Sequence, residues 1–175
     1  EGIVPRVSNF PSGTVDIFPT MIEIAGLSPT SINSVHDGIS IAEVFEKEPV
    51  QRDKPLGFRA NDGRAWLDND WKLLQNVLLV DGKLVKGPFE LYNIIGDPGE
   101  ENNLIDLYPD VAGRLRRQLD SWSVSVSRSA LGADYPEGKV LPSGRDEEPL
   151  VTERREIRMR EWAEEVRLSE VRVLP

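Results

Sequence analysis

Apolar positions recur in different rhythms along the chain, and each rhythm predicts a different kind of element. Between Thr14 and Leu27, the residues Val15, Phe18, Met21, Ile22 and Ala25 follow one another at steps of three and four, one face of a short helix. Thr14 can cap that helix, Asp16 suits its positive N-terminal end, and Gly26 can take the left-handed position that closes it. Pro19 is tolerated if the helix starts near Asp16. Asp37-Gly38 then signals a turn, and Ser40 can cap a second short helix through Ile41, Val44 and Phe45.

After the polar stretch 46–54 the rhythm changes to that of strands. Leu56–Ala60 predicts one strand, and Arg64–Leu67 with Lys72–Gln75 flanks Asp68-Asn69-Asp70-Trp71 as a hairpin. Asp81-Gly82 marks another turn, and Phe89–Ile94 another β-rich run. Asp97–Asn103 is dense in turn formers. Pro109 is well placed to open a longer helix, whose stripe Val111, Leu115, Leu119, Trp122 and Val126 must cover something. One face of the sheet is its natural partner, so the predicted class is α+β, a small antiparallel sheet of about four strands packed by a long helix. Residues 132–149 read as a surface arm. Thr152–Val173 reads as a charged tail helix with a thin stripe of Met159, Trp162 and Val166.

Composition narrows the chemistry. The 175 residues carry a net charge of −9, which argues against nucleic acid or an anionic membrane as the main partner. No run of 18 apolar residues exists, so no membrane span is expected. With no cysteine there is no disulfide, thiol nucleophile or thiolate metal site, and any Ser-His-Asp arrangement would depend on the single His36. His36 beside Asp37 is read as part of a turn rather than a dyad. Asp68-Asn69-Asp70 lacks the Gly and the distant Glu of an EF-hand loop and is read as a hairpin tip.

Several segments, in order, resemble the sulfatase family. TVDIFPTMIEIAGL followed by HDGISIAEVF resembles the family run D-x-x-P-T…G…DG-x-S. RDKPLGF is similar to the crossover from its large α/β domain to its small C-terminal domain, and RAWLDNDWKLLQ to its R…D-W/Y-K-L hairpin. FELYNIIGDPGEENNL resembles the closing ELYDLxxDPxExxNL motif. Leu119 and Trp122 match its L-x-x-W, and DYPEG is similar to the end of some bacterial arylsulfatase-like members. The resemblance covers about residues 8–138.

That resemblance implies the C-terminal part of a hydrolase cleaving aryl or carbohydrate sulfate esters. It also implies a formylglycine nucleophile and Ca²⁺ in a preceding N-terminal part, sulfated small molecules or glycans as substrates, and a periplasmic or secreted location. The chain has no C/S-x-P-x-R motif from which formylglycine is made, so no catalytic or metal residue carries over, and residues 1–175 alone are expected to be inactive. The expected division is 1–54 as the remnant of the large domain, 55–131 as the small sheet-plus-helix domain, and 132–175 as arm and tail. Arg59, Asn61 and Arg64 follow the crossover and are the candidate substrate rim, because Arg is well suited to grip anions. Two alternatives stand beside this. One is a phosphoesterase or phosphonate hydrolase of the same superfamily; the other is a non-catalytic truncated paralogue acting as an interaction module.

Overall fold

The computed structural model describes residue 3 and residues 5–28, 36–60, 63–130 and 132–134. The expected tail helix, most of the arm, and Asn61 lie outside the described residues. Helix α1 (Ile17–Ile24) follows a single 3-10 turn at Thr14–Asp16, and a second 3-10 turn spans Ala42–Phe45. Strands β1 (Leu56–Ala60), β2 (Gly63–Asp68), β3 (Trp71–Val80) and β4 (Lys83–Asn93) form one antiparallel sheet in sequence order, and helix α2 runs Pro109–Ala130. The class is α+β.

Each turn uses the chemistry that its backbone demands. Asn69 takes φ of 53° at the β2–β3 tip, a conformation Asn tolerates better than most residues. Between β3 and β4, Asp81 and Gly82 stand at φ of 49° and 75°, the two positive values of the hairpin turn whose twist matches its strands. The sheet is longer than its alternating pattern suggested, because β3 continues to Val80 and β4 starts at Lys83. The register shifts between Gln75 and Val77, and this bulge breaks the alternation that would have announced the distal strands.

Alternation along the strands puts Trp66, Leu73 and Leu91 side by side on one face, where register pairs them directly. Helix α2 lays Ala112, Leu115 and Leu119 onto them, with Val111 and Trp122 at the margins, so the predicted stripe is the core as far as Trp122, while its last member, Val126, lines a surface groove. Trp66 and Trp122 meet with ring centroids 5.9 Å apart. Gly57 allows this close approach. A Cβ there would stand 2.4 Å from the Trp122 ring. On the opposite face Leu56, Leu74 and Tyr92 are buried.

Beyond β4, the FELYNIIGDPGEENNL loop closes on itself. Asp97 accepts the N–H groups of Glu101 (3.1 Å) and Asn102 (2.8 Å), and these bonds hold its carboxyl below the usual carboxylate range. Asn103 Oδ1 accepts from Leu91 and Ile105, each at 3.1 Å, and the Leu104 N–H donates to the Leu91 carbonyl at 2.7 Å. The Asn and Asp of the motif thus supply partners for backbone groups that the sheet edge leaves over.

Candidate functional site

Asp16, Pro19, Thr20 and Gly38 of the D-x-x-P-T…DG run are buried, while Asp37 is exposed. Asp16 is 0% exposed. Its Oδ2 accepts the Gly13 N–H at 2.8 Å and its Oδ1 the Ile39 N–H at 2.9 Å, so its carboxylate, not the Thr14 hydroxyl, caps the helical entrance. Arg52, 1% exposed, closes on both oxygens, Nη1 to Oδ2 at 2.9 Å and Nη2 to Oδ1 at 2.8 Å. Such a planar fork-to-fork pair is the strong geometry for these two groups. The guanidinium also donates from Nε to the Lys54 carbonyl and from Nη1 to the Pro11 carbonyl, so each of its three nitrogens has an acceptor. Burial pushes the Asp16 carboxyl up, but the Arg52 hydrogen bonds and the N–H groups of Ile39 and Gly13 outweigh it and leave it below the usual range.

Further members extend the lock. Thr20 Oγ1 donates to the Asp16 carbonyl at 2.6 Å and accepts the Ile41 N–H at 3.0 Å, tying α1 to the segment after the DG turn. Gly38 lies so close to the Val15 carbonyl that a Cβ would stand 1.9 Å from its oxygen. Asn69 at the β2–β3 tip accepts the Arg52 N–H at 2.7 Å and donates to the Arg52 carbonyl at 3.1 Å. The Asp16–Arg52 pair therefore joins three sequence-distant pieces: α1, the segment after the DG turn through the Ile39 N–H, and the sheet through Asn69.

The three candidate rim residues fare differently. Arg59 and Arg64 are register partners on β1 and β2, so both stand on the α2 face of the sheet. Arg64 is committed within the fold. It donates to Asp120 at 2.7 Å and to Gln75 at 3.1 Å, and lies over the Phe89 ring at 5.3 Å from its centroid. Arg59 is exposed and lines a groove of about 380 Å³ with His36, Asp37, Trp122, Ser125 and Ser129. Asn61 lies outside the described residues. In this groove the Trp122 indole donates to Asp37 at 3.0 Å, and the His36 carbonyl accepts from Lys54 at 2.7 Å.

The Asp68-Asn69-Asp70 segment is a hairpin tip, with Asp68 held by Arg114 and Asn69 by Arg52. Among the described residues no group of three or more His, Asp or Glu comes together. The Asp16, Asp68, Asp97 and Asp120 carboxylates each already accept from protein donors. These residues do not fit a hard divalent cation, which needs several free oxygens. No helix among them is long and apolar enough to cross a membrane.

Arg52 is the residue that reading by pattern missed. Its signal was present: it opens RDKPLGF, and it is the cation that a buried Asp16 requires. A single charged residue in a polar stretch gives no period, so only the fold reveals the pairing.

No family model matches the chain, and no curated protein matches it. Solved structures do. One, from a Bacteroides thetaiotaomicron locus for metabolism of multiple glycosaminoglycans, is 19% identical with a TM-score of 0.47, over 62% of this chain and 24% of that one. A second, solved with its substrate D-glucosamine-2-N,6-O-disulfate, is 23% identical with a TM-score of 0.42, over 61% and 22%. A third, the candidate sulfatase yidJ of Bacteroides fragilis, is 23% identical with a TM-score of 0.41, over 61% and 23%. The chain is thus similar to sulfatase structures over about three-fifths of its length and spans about a quarter of theirs.

Proposed function

We propose that residues 1–175 are the C-terminal part of a sulfatase-family hydrolase, in which they serve a structural role beside the reacting centre. The observation that carries this reading is the Asp16–Arg52 lock. It is built from the residues matching the family run, Asp16, Thr20 and Gly38, together with Arg52 of the crossover motif. The ordered motifs supply the family, and the lock supplies a physical reason for those residue types at that spacing. In this reading the formylglycine and Ca²⁺ belong to the preceding part. The residues here supply no nucleophile, and the substrate is an aryl or carbohydrate sulfate in a periplasmic or extracellular setting.

Of the rim candidates, Arg59 is the one whose groove is open, so it is the residue proposed to meet an anionic group of the substrate; Asn61 stays a candidate from the sequence, and Arg64 is held by Asp120 and Gln75. The proposed division at 54/55 and 131/132 places the lock on one side and the sheet on the other, with Arg52 just before the joint.

The test is an assay with a chromogenic aryl sulfate and the matching aryl phosphate. The 175-residue chain alone is expected to turn over neither, and the protein with its upstream part the sulfate in preference. Metal-dependent turnover by the chain alone would overturn the reading. Preference for the phosphate in the longer protein would favour the phosphoesterase alternative, and no turnover in either form the non-catalytic one. Arg59→Gln in the active longer protein should raise KM with little change in kcat.

A further inference from the structure

Between the proximal sheet and the first turns of α2 the packing leaves a cavity of about 260 Å³, open on one side. The sheet supplies Leu73 and Phe89 to its walls, the loop before α2 supplies Ile105, and the helix supplies Ala112 and Gly113, with Arg116 at the mouth. Phe89 pairs with Gln75 in the register, which places it on the α2 face with Leu73 and Leu91. Phe89 and Ile105 both pack against the buried core, so the walls are apolar. Protein interiors are close-packed, and an apolar space of this size beside the core calls for a reason.

Gly113 keeps the space open. Glycine is among the poorest helix formers, and this one lies inside α2. Among the described residues nothing in the fold requires it. Its φ is not positive, and an added Cβ would meet only Arg117 Nη1, at 3.6 Å, an ordinary contact with the end of a flexible side chain. Gly38 and Gly57 are different, since a Cβ there would collide with the Val15 carbonyl and the Trp122 ring. What Gly113 contributes is the absence of a side chain that would fill the cavity.

Arg116 gives the cavity a preference for charge. Its guanidinium lies over the Phe89 ring, 4.8 Å from the centroid, and approaches a carboxylate only through Nε, 3.9 Å from Asp120. Asp120 is already taken by Arg64 at 2.7 Å, and among the described residues the two Nη groups of Arg116 have no acceptor. We propose that this cavity binds a small aromatic carboxylic acid, its ring between Phe89 and Gly113 and its carboxylate on the Arg116 Nη groups. A guanidinium and a carboxylate match as a planar pair, and a flat ring both fits a gap between helix and sheet and packs on Phe89. The volume stands at the lower end for ligand pockets, which limits the acid to one or two rings. Gly113 and Val126 of the Arg59 groove lie about 20 Å apart along α2, so this site does not depend on the substrate reading given above.

Titration of the full chain with naphthoate, followed through its amide NMR shifts, tests this. Saturable shifts should centre on Ile105, Ala112 and Gly113. Arg116→Gln should weaken binding about tenfold, and the uncharged naphthamide should bind the wild type about as weakly as naphthoate binds that variant. Gly113→Leu fills the cavity and should abolish the shifts. Gly113→Ala should raise the midpoint of thermal unfolding, as expected of a glycine that the fold does not need. Arg116 is exposed, so Arg116→Gln keeps the test decisive even where Gly113→Leu fails to fold. The absence of saturable binding would overturn the proposal, because the cavity would then be closed or already filled. So would binding unchanged in Arg116→Gln or in folded Gly113→Leu, equal affinity for naphthoate and naphthamide, or shifts centred on Phe18 and Met21 of α1. A lower unfolding midpoint in Gly113→Ala would also overturn it, since the glycine would then serve packing.

Discussion

α1 and α2 each carry an apolar stripe at helical spacing, and the two stripes meet different surroundings. On α2, Leu115 and Leu119 are 0% exposed beneath Trp66, Leu73 and Leu91 of the sheet. On α1, Phe18 is 56% and Met21 58% exposed, and the buried members are Pro19 and Thr20. α2 is held by apolar area. α1 is held from its other side, by Asp16, Thr20 and the Arg52 guanidinium. The same periodicity thus reports only that a face is apolar. Whether that face is the one that anchors the helix depends on what the chain brings to it.

The sharpest way to break the comparison is to remove the polar anchor. Arg52→Ala leaves a buried carboxylate facing the Gly13 and Ile39 N–H groups with no cation, and breaking such a pair costs about 3–5 kcal/mol. Urea unfolding with hydrogen exchange should show the amides of Ile39 and Ile41 losing protection before those of Leu73 and Leu91. Acid acts through the same group. The folded Asp16 carboxyl lies below its unfolded value, so its contribution is complete above the ordinary carboxylate range, near pH 4, and is lost as pH falls through the folded value. The stability of Asp16→Asn should therefore fall less on acidification than that of the wild type. An equal fall in both would show that the lock contributes nothing to acid sensitivity.

The apolar anchor is next in size. Leu119→Ala opens a cavity against Trp66 and Leu73 and should cost about 2–5 kcal/mol. Met21→Ala, the matching truncation on α1, should stay within about 0.5 kcal/mol, the range of exposed sites. Equal losses in the two variants would mean that the α1 face is covered in solution.

These differences mark how far the pattern could be read. The α2 stripe, the β2–β3 hairpin and the Asp97–Asn103 loop were legible because period and turn chemistry are local properties. The Asp81-Gly82 turn was legible too, yet the strands it joins beyond Gln75 were not, since a bulge shifts their register. The Asp16–Arg52 pair spans 36 residues and has no period at all. Arg64 shows the same limit. From sequence it stood with Arg59 as a candidate for the substrate rim, and its commitment to Asp120, 56 residues away, appears only when α2 lies across β2. Long-range polar partners leave no local trace in a single chain.

The smallest effect concerns where the two regions touch. The Trp122 indole of α2 donates to Asp37 of the DG turn at 3.0 Å, a bond near the surface between the apolar and the polar anchor. Asp37→Ala removes the acceptor and leaves a half-exposed N–H that water can reach, so the loss should be at the low end of the usual hydrogen-bond contribution, about 0.5 kcal/mol. Its value as a measurement lies in coupling. If the regions are fastened independently, the cost of Asp37→Ala should be the same in wild type and in Arg52→Ala, because separate sites add. A cost that vanishes in the Arg52→Ala background would mean that the turn is already displaced once the guanidinium is gone, making the ion pair the device that delivers Asp37 to Trp122. Tryptophan fluorescence of the same variants reads this directly, since Trp122 lines the Arg59 groove and its emission should shift red as the Asp37 contact opens.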